Sequence, residues 1–177
     1  MIRITHLAGG ALVSAAYIDL ANIPHDKTLP FYFFAGLAGS VLPDIDLFLG
    51  RRTDTSVMLK HRGITHTFLF IILCLIGIKI AGFYSGGGFS VSSGIMLIFT
   101  LCVLSHFVLD TLNYEGLLLF WPLSGRRFRL MLVKAGSIDE FVFILLPISI
   151  FAALLLYKSN FFGGLHEFLR SMETRRF

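Results

Sequence analysis

The chain has 177 residues, 55% of them hydrophobic and 14% aromatic, with a formal net charge of +4 and a mean hydropathy of +0.79. A soluble domain carries about 45–50% apolar residues even with Gly counted, so this composition excludes an ordinary soluble domain and points to a bilayer. The length allows one compact domain over 1–177, because neither an internal repeat nor a long polar linker divides the chain.

Only Arg3 and His6 precede Ala8-Gly9-Gly10-Ala11, which is no cleavable signal pattern, so the first segment is expected to stay. From Leu7 to Leu20 it is rich in small residues, and Gly10/Ser14 and Ala11/Ala15, each one turn apart, predict close approach of another helix. A second segment runs from Phe31 to Leu42, with Gly36 and Ser40 again one turn apart. Pro43 disfavours helix at Leu42, which predicts a stop there and an extended Pro43-Asp44-Ile45-Asp46 with both carboxylates on one side.

Thr65 is the expected N-cap of a third helix, from His66 to about Phe83. The uncharged Ser85-Gly86-Gly87-Gly88 connection is no phosphate loop. A fourth helix is predicted from Ser93 to Leu112, carrying His106 and Asp110 at its end. Phe120-Trp121-Pro122-Leu123 reads as an interfacial turn. The charge-free window Phe141 to Tyr157, with Ser137 as cap and Asp139-Glu140 in the first turn, predicts a fifth helix interrupted by Pro147. Residues 158–177 mix aromatics with Arg and Glu and suit an amphipathic helix in the interface. Cys74 and Cys102 each lie in an apolar run and read as small core residues. The fold class is therefore an all-α integral membrane protein of about five membrane-embedded helices.

The basic residues gather in short loops: Arg51, Arg52, Lys60 and Arg62 in one, Arg126, Arg127, Arg129 and Lys134 in another, and Arg170, Arg175 and Arg176 in the tail. Such clusters mark cytoplasmic loops and attract anionic headgroups. They form no basic face interleaved with aromatics, so membrane lipids are the expected partners and direct nucleic-acid binding is not expected.

The candidate site follows from tracing the crossings. His6 opens the first segment, Asp44 and Asp46 close the second, His61 and His66 precede the third, and His106 and Asp110 close the fourth, so all land on one side, expected to be cytoplasmic. Each element has a plain structural reading: as a helical polar pair, His106 and Asp110 would contribute only about 0.2–0.5 kcal/mol. Spaced i,i+4, however, they can also reach one metal from one helix face, whereas His61 and His66, five apart, need the break that Gly63 and Thr65 allow. Ionisable groups at membrane depth are expensive and face a cavity or one another, and a cluster of acids and histidines calls for a cation. Nitrogen and oxygen donors of this kind suit a divalent metal, Zn²⁺ or Mn²⁺.

The early His6, Pro43-Asp44-Ile45-Asp46, His61-Arg62-Gly63-Ile64-Thr65-His66 and His106-x-x-x-Asp110 together resemble the YdjM-like family of inner-membrane proteins, described as LexA-binding metal-dependent hydrolases. That family is in turn similar to the zinc-dependent phospholipase C and single-strand nuclease group, all-helical proteins with a metal cluster of scattered His and Asp. The resemblance implies metal roles for His61, His66, His106, Asp110 and one or both of Asp44 and Asp46; His6, at the start of the first segment, is a further candidate donor by its position.

The reaction expected is hydrolysis of a phosphoester in an amphiphilic or lipid substrate, with Asp44 or Asp46 as base, Asp139 or Glu140 as second choice, and Arg62 on an anionic substrate group. No Glu adjoins the histidines of the central motif, which disfavours a peptidase. The Ser-Arg and Pro-Ser-Gly-His partners of the lipid phosphatases are also missing. The alternative is a non-catalytic membrane protein, either a metal or ion permeation module or a scaffold. Transporters carry ionisable residues near the bilayer midplane, whereas here they sit at segment ends.

Overall fold

The computed structural model describes residues 1–24, 26, 28–49, 62–84, 92–159 and 161–173. Its helices are α1 (Arg3–Leu20), α2 (Leu29–Val41), α3 (Phe68–Tyr84), α4 (Ser93–Thr111), α5 (Ile138–Lys158) and α6 (Phe161–Glu173), with no strand among the described residues. Short helical turns at Leu42–Ile45, Asp46–Leu49 and Ile64–His66 lie between α2 and α3. His25, Arg51, Arg52, Lys60, His61, Ser85-Gly86-Gly87-Gly88, Arg175 and Arg176 fall outside the described residues.

The helix boundaries follow local chemistry. Ser92 accepts from the Ile95 amide and caps α4, and Ser137 accepts from the Glu140 amide and caps α5 as expected. The cap of α3 is Thr67 and not Thr65: Thr67 is extended, and its hydroxyl accepts from the Phe70 amide while donating to the Ile64 carbonyl. Pro43 ends α2 but does not extend the chain, because a proline near the start of a new turn gives up an amide that would be unpaired anyway. Asp44 and Asp46 therefore sit on helical turns, not on one side of an extended strand. Pro147 does not interrupt α5, where a π-helical turn at Phe141–Leu145 precedes it and absorbs the missing amide.

Packing centres on α4, which lies against α1 and α2, while α1 also packs on α5. Gly10 abuts Ser40 and Gly36 abuts Ser14, with no space for a Cβ at either glycine, so the small-residue spacing does bring α1 and α2 together. Cys102 is buried beside the Ser14 hydroxyl and the Gly10 carbonyl, and both cysteines are free. One core joins Ile71 of α3 to Phe99, Val103 and Phe107 of α4 and to Leu117. A second joins Phe161 of α6 to Ile18 and Leu29, docking the tail helix on α1 and α2.

Among the described residues, two helices are long and apolar enough to cross a membrane, Ser93–Thr111 and Ile138–Lys158. The expectation of five is not met by length and composition. At ~1.5 Å per residue, the 13 residues of α2 reach only ~20 Å and the 17 of α3 only ~25 Å. The outer face of α5 exposes Phe143, Ile150, Phe151 and Leu154, and α3 exposes Ile72, Leu73, Ile76 and Ile80. Apolar surface of this extent suits contact with lipid.

Candidate metal centre

The end of α4 carries the first two donors. His106 and Asp110, one turn apart on the same face, are both buried, and the turns flanking α2 and α3 bring Asp44 and His66 against them. The Nε2 atoms of His66 and His106 lie 3.1 Å apart. Asp44 Oδ1 is 3.8 Å from His66 Nε2 and 3.7 Å from His106 Nε2. Asp110 Oδ2 is 3.5 Å from the first and 3.6 Å from the second. Two nitrogens and two oxygens from three parts of the chain thus converge on one point.

The protonation of both rings can be read from what lies behind them. His106 Nδ1 is 2.7 Å from the Ser40 carbonyl oxygen, which can only accept, so Nδ1 carries the proton. Thr65 donates its hydroxyl proton to Asp46 and lies 2.9 Å from His66 Nδ1, so its oxygen accepts from that nitrogen. Asp46 Oδ2, 3.3 Å from the same nitrogen, adds an anionic acceptor. Burial pushes the His66 pKa below its ordinary value and the neighbouring His106 lowers it further, against the hydrogen bond that His66 donates to Asp46. Both rings therefore carry a proton on Nδ1, and their Nε2 atoms face each other. Backing of ligand histidines by a carbonyl or carboxylate is the arrangement that orients them for metal.

Asp110 is also held from its other side. Arg62 Nε and Nη2 donate to its two oxygens at 3.1 and 3.0 Å, and the Met1 amino group lies 2.6 Å from Oδ1. Arg62 is left-handed at φ 64°, a conformation costing about 1–3 kcal/mol. Its amide donates to Asp46 and its Nη1 to Glu115 Oε2, contacts that hold it in place. His6 stacks on His106 with centroids 3.7 Å apart. Both its ring nitrogens are buried, Nδ1 without a hydrogen-bond partner among the described residues and Nε2 3.3 Å from Asp110 Oδ1.

A divalent cation fits these residues. Bond lengths of about 2.0–2.2 Å to N and O separate neighbouring ligand atoms by roughly 3.0–3.6 Å, close to the separations around His66 and His106. Facing lone pairs repel unless a cation lies between them, and His6 adds a further imidazole beside the cluster. Asp44, Asp46, Asp110 and Glu140 are buried, while Arg62 is the one buried Lys or Arg among the described residues. Even with the Met1 amino group counted, the cluster is left negative. Two overlapping donor sets result, His66 with His106 and Asp110, and His6 with Asp44 and His106.

The structure thus gathers His6, Asp44, Asp46, His66, His106 and Asp110, while His61 lies outside the described residues. Asp46 stands behind His66, and Arg62 stands on Asp110. Asp139 is exposed. Glu140 is buried as a structural hub, with Oε1 accepting from the Ile2 amide and the Thr5 hydroxyl and Oε2 from the Gly136 amide. That ties the start of α5 to the start of α1 and so fixes His6. The roles of Thr65, Ser40 and Glu115 had no sequence signal, since two are ordinary polar residues and the third acts through its carbonyl.

No curated protein and no solved structure matches the chain, so the expected likeness to the zinc-dependent phospholipase C group has no counterpart among them. A family model does match, described as YdjM inner membrane protein and covering residues 1–166. Since that match takes in nearly all of the sequence, including every donor of the centre, the chain belongs to the YdjM inner membrane protein family.

Proposed function

We propose that this protein is a metal-dependent hydrolase of the membrane surface, cleaving a phosphoester in an amphiphilic or lipid substrate, with its centre on the cytoplasmic side. The observation that carries the reading is the pair of imidazoles whose Nε2 atoms meet at 3.1 Å with Asp44 and Asp110 beside them. His66, His106, Asp44 and Asp110 would hold the ion, with His6 adjacent. When bound, a divalent cation supplies Lewis acidity, acidifying water and polarising a phosphoryl or carbonyl oxygen. Asp44, lacking the backing contacts that occupy Asp46, is the carboxylate placed to accept a proton. Asp46 and Thr65 keep His66 in its tautomer, and Arg62 holds Asp110 oriented through two hydrogen bonds.

Lipid is favoured as the substrate because exposed Arg126, Arg127, Arg129 and Lys134 lie in the segment beside the centre, where they draw anionic headgroups. A second reading, a closed structural metal site in a non-catalytic protein, is favoured by the complete burial of His66 and His106. Incubating purified protein, with Zn²⁺ or Mn²⁺ restored after chelation, against extracted membrane lipids and soluble phosphodiesters, with mass spectrometry as readout, separates the two. Consumption of a lipid class, abolished by chelator and by Asp110→Ala, is expected. Hydrolysis of soluble diesters alone defeats the lipid assignment, and no turnover with either ion favours the structural reading.

A further inference from the structure

A half-open cleft of about 350 Å³ lies next to the centre, lined by Asn113, Tyr114, Glu115, Lys134 and Ala135. Its link to the metal ligands runs through one ion pair, Glu115 Oε2 to Arg62 Nη1 at 2.8 Å. The two partners are unequal. Arg62 is 3% exposed and fastened to Asp110 by two other nitrogens, while Glu115 is 68% exposed and reaches Arg62 from the cleft side. An exposed carboxylate loses little on returning to water, whereas a buried guanidinium stripped of an anion loses much. If the pair opens, Glu115 moves and Arg62 stays.

We propose that Glu115 is a displaceable latch, a carboxylate standing where a phosphoryl group of the substrate binds, and that the cleft is the path by which that group reaches Arg62. The inference rests on the reading of the centre as one that takes a phosphorylated substrate. The cleft becomes cationic once Glu115 swings out, because Lys134 lines it and Arg62 Nη1 then faces it. A phosphoryl group, with more acceptor oxygens than a carboxylate, can take both cations at once. Arg127 and Arg129 donate to the carbonyls of Gly116 and Tyr114, holding the loop backbone while the Glu115 side chain moves. Asn113, also lining the cleft, has a buried amide nitrogen with no hydrogen-bond partner among the described residues. The phosphoryl group would thereby be brought beside Asp110, the residue that Arg62 shares with the metal centre.

The test is binding of inorganic phosphate to the full-length protein in detergent, followed by phosphorus NMR or calorimetry, in native, Glu115→Gln and Lys134→Gln forms. Both substituted residues are exposed, so folding is retained. Removing the competing carboxylate should tighten phosphate binding about threefold to tenfold, and removing the second cation should weaken it by a similar factor. Unchanged or weaker binding in Glu115→Gln overturns the proposal, as does phosphate binding indifferent to Lys134. Displacement of phosphate by phosphatidylcholine nanodiscs containing phosphatidic acid, but not by pure phosphatidylcholine, identifies a lipid headgroup as the source. Failure of both to displace it identifies a soluble phosphate compound, and the latch stands in either case. Because binding is read without turnover, a protein that binds phosphate in this pattern yet hydrolyses nothing refutes the hydrolase reading alone.

Discussion

His66 and His106 stand 40 positions apart in sequence, yet their Nε2 atoms meet at 3.1 Å, each ring held from behind through its other nitrogen. Neither ring can turn away without breaking a buried hydrogen bond to Thr65 or to the Ser40 carbonyl. The pair is preorganised for a cation, and its energetic cost without one links metal content to stability.

Single substitutions His66→Ala, His106→Ala, Asp44→Ala and Asp110→Ala should each lower metal content by elemental analysis and lower the thermal midpoint in detergent. Chelation of the native protein should do the same, since a ligand at about 1,000 times its Kd stabilises the folded state by about 4 kcal/mol. Unchanged occupancy in most of the four variants would show that the donors form no joint site.

Asp46→Asn keeps the shape of the residue but removes the charge behind His66 Nδ1 and weakens the bonds from Arg62 and Thr65. Metal affinity should drop about 10–100-fold without loss of a direct ligand. Thr65→Val should give a smaller drop of the same kind. An Asp46→Asn protein with native affinity would remove Asp46 from the centre.

Burial holds the His66 pKa below 6.5 in the folded protein. Between that lowered value and 6.5 the unfolded chain binds the extra proton and the folded chain does not, so stability rises with pH through this window. It is lost as pH falls below 6.5, and metal should leave over the same range because a protonated imidazole is no ligand. Thermal midpoints and metal content measured from pH 7.5 to 5 check this, and a protein equally stable and loaded throughout would contradict it.

The centre lies at one end of the helix bundle, and the Asp19–Lys158 ion pair, where α1 and α5 finish, lies at the other. By the positive-inside rule the exposed Arg126, Arg127, Arg129 and Lys134 are expected in the cytoplasm. A cysteine at Ala21 should therefore react with an impermeant thiol reagent applied from outside, and one at Arg126 should not. The reverse labelling would put the centre on the outer side.

Much of the site was legible because its signals are local. The i,i+4 spacing of His106 and Asp110 fixes a shared helix face whatever surrounds it, and donors at the ends of apolar segments converge once the segments run back and forth. Ser92 and Ser137 cap as their positions dictate, and the small residues at Gly10, Ser14, Gly36 and Ser40 mark where α1 and α2 touch. Local rules failed where two of them competed. Thr65 and Thr67 are equally good caps by type, and only the demand of Asp46 for a hydroxyl donor sends one to the carboxylate and the other to the helix.

The sequence by itself determined the apolar, helical character of the chain and the donor types at the helix ends, since composition and 3.6-residue periodicity carry these, while its His and Asp motifs carried the resemblance to its family. Only the tertiary structure decided which carboxylate faces the imidazoles and which stands behind them, and that Arg62 holds Asp110. It also showed that Glu140 anchors α1 and that, among the described residues, two helices and not five have the length and apolarity for a full crossing. These depend on distances between residues tens of positions apart, set by how closely glycine and serine let the helices approach, and no spacing along the chain encodes them.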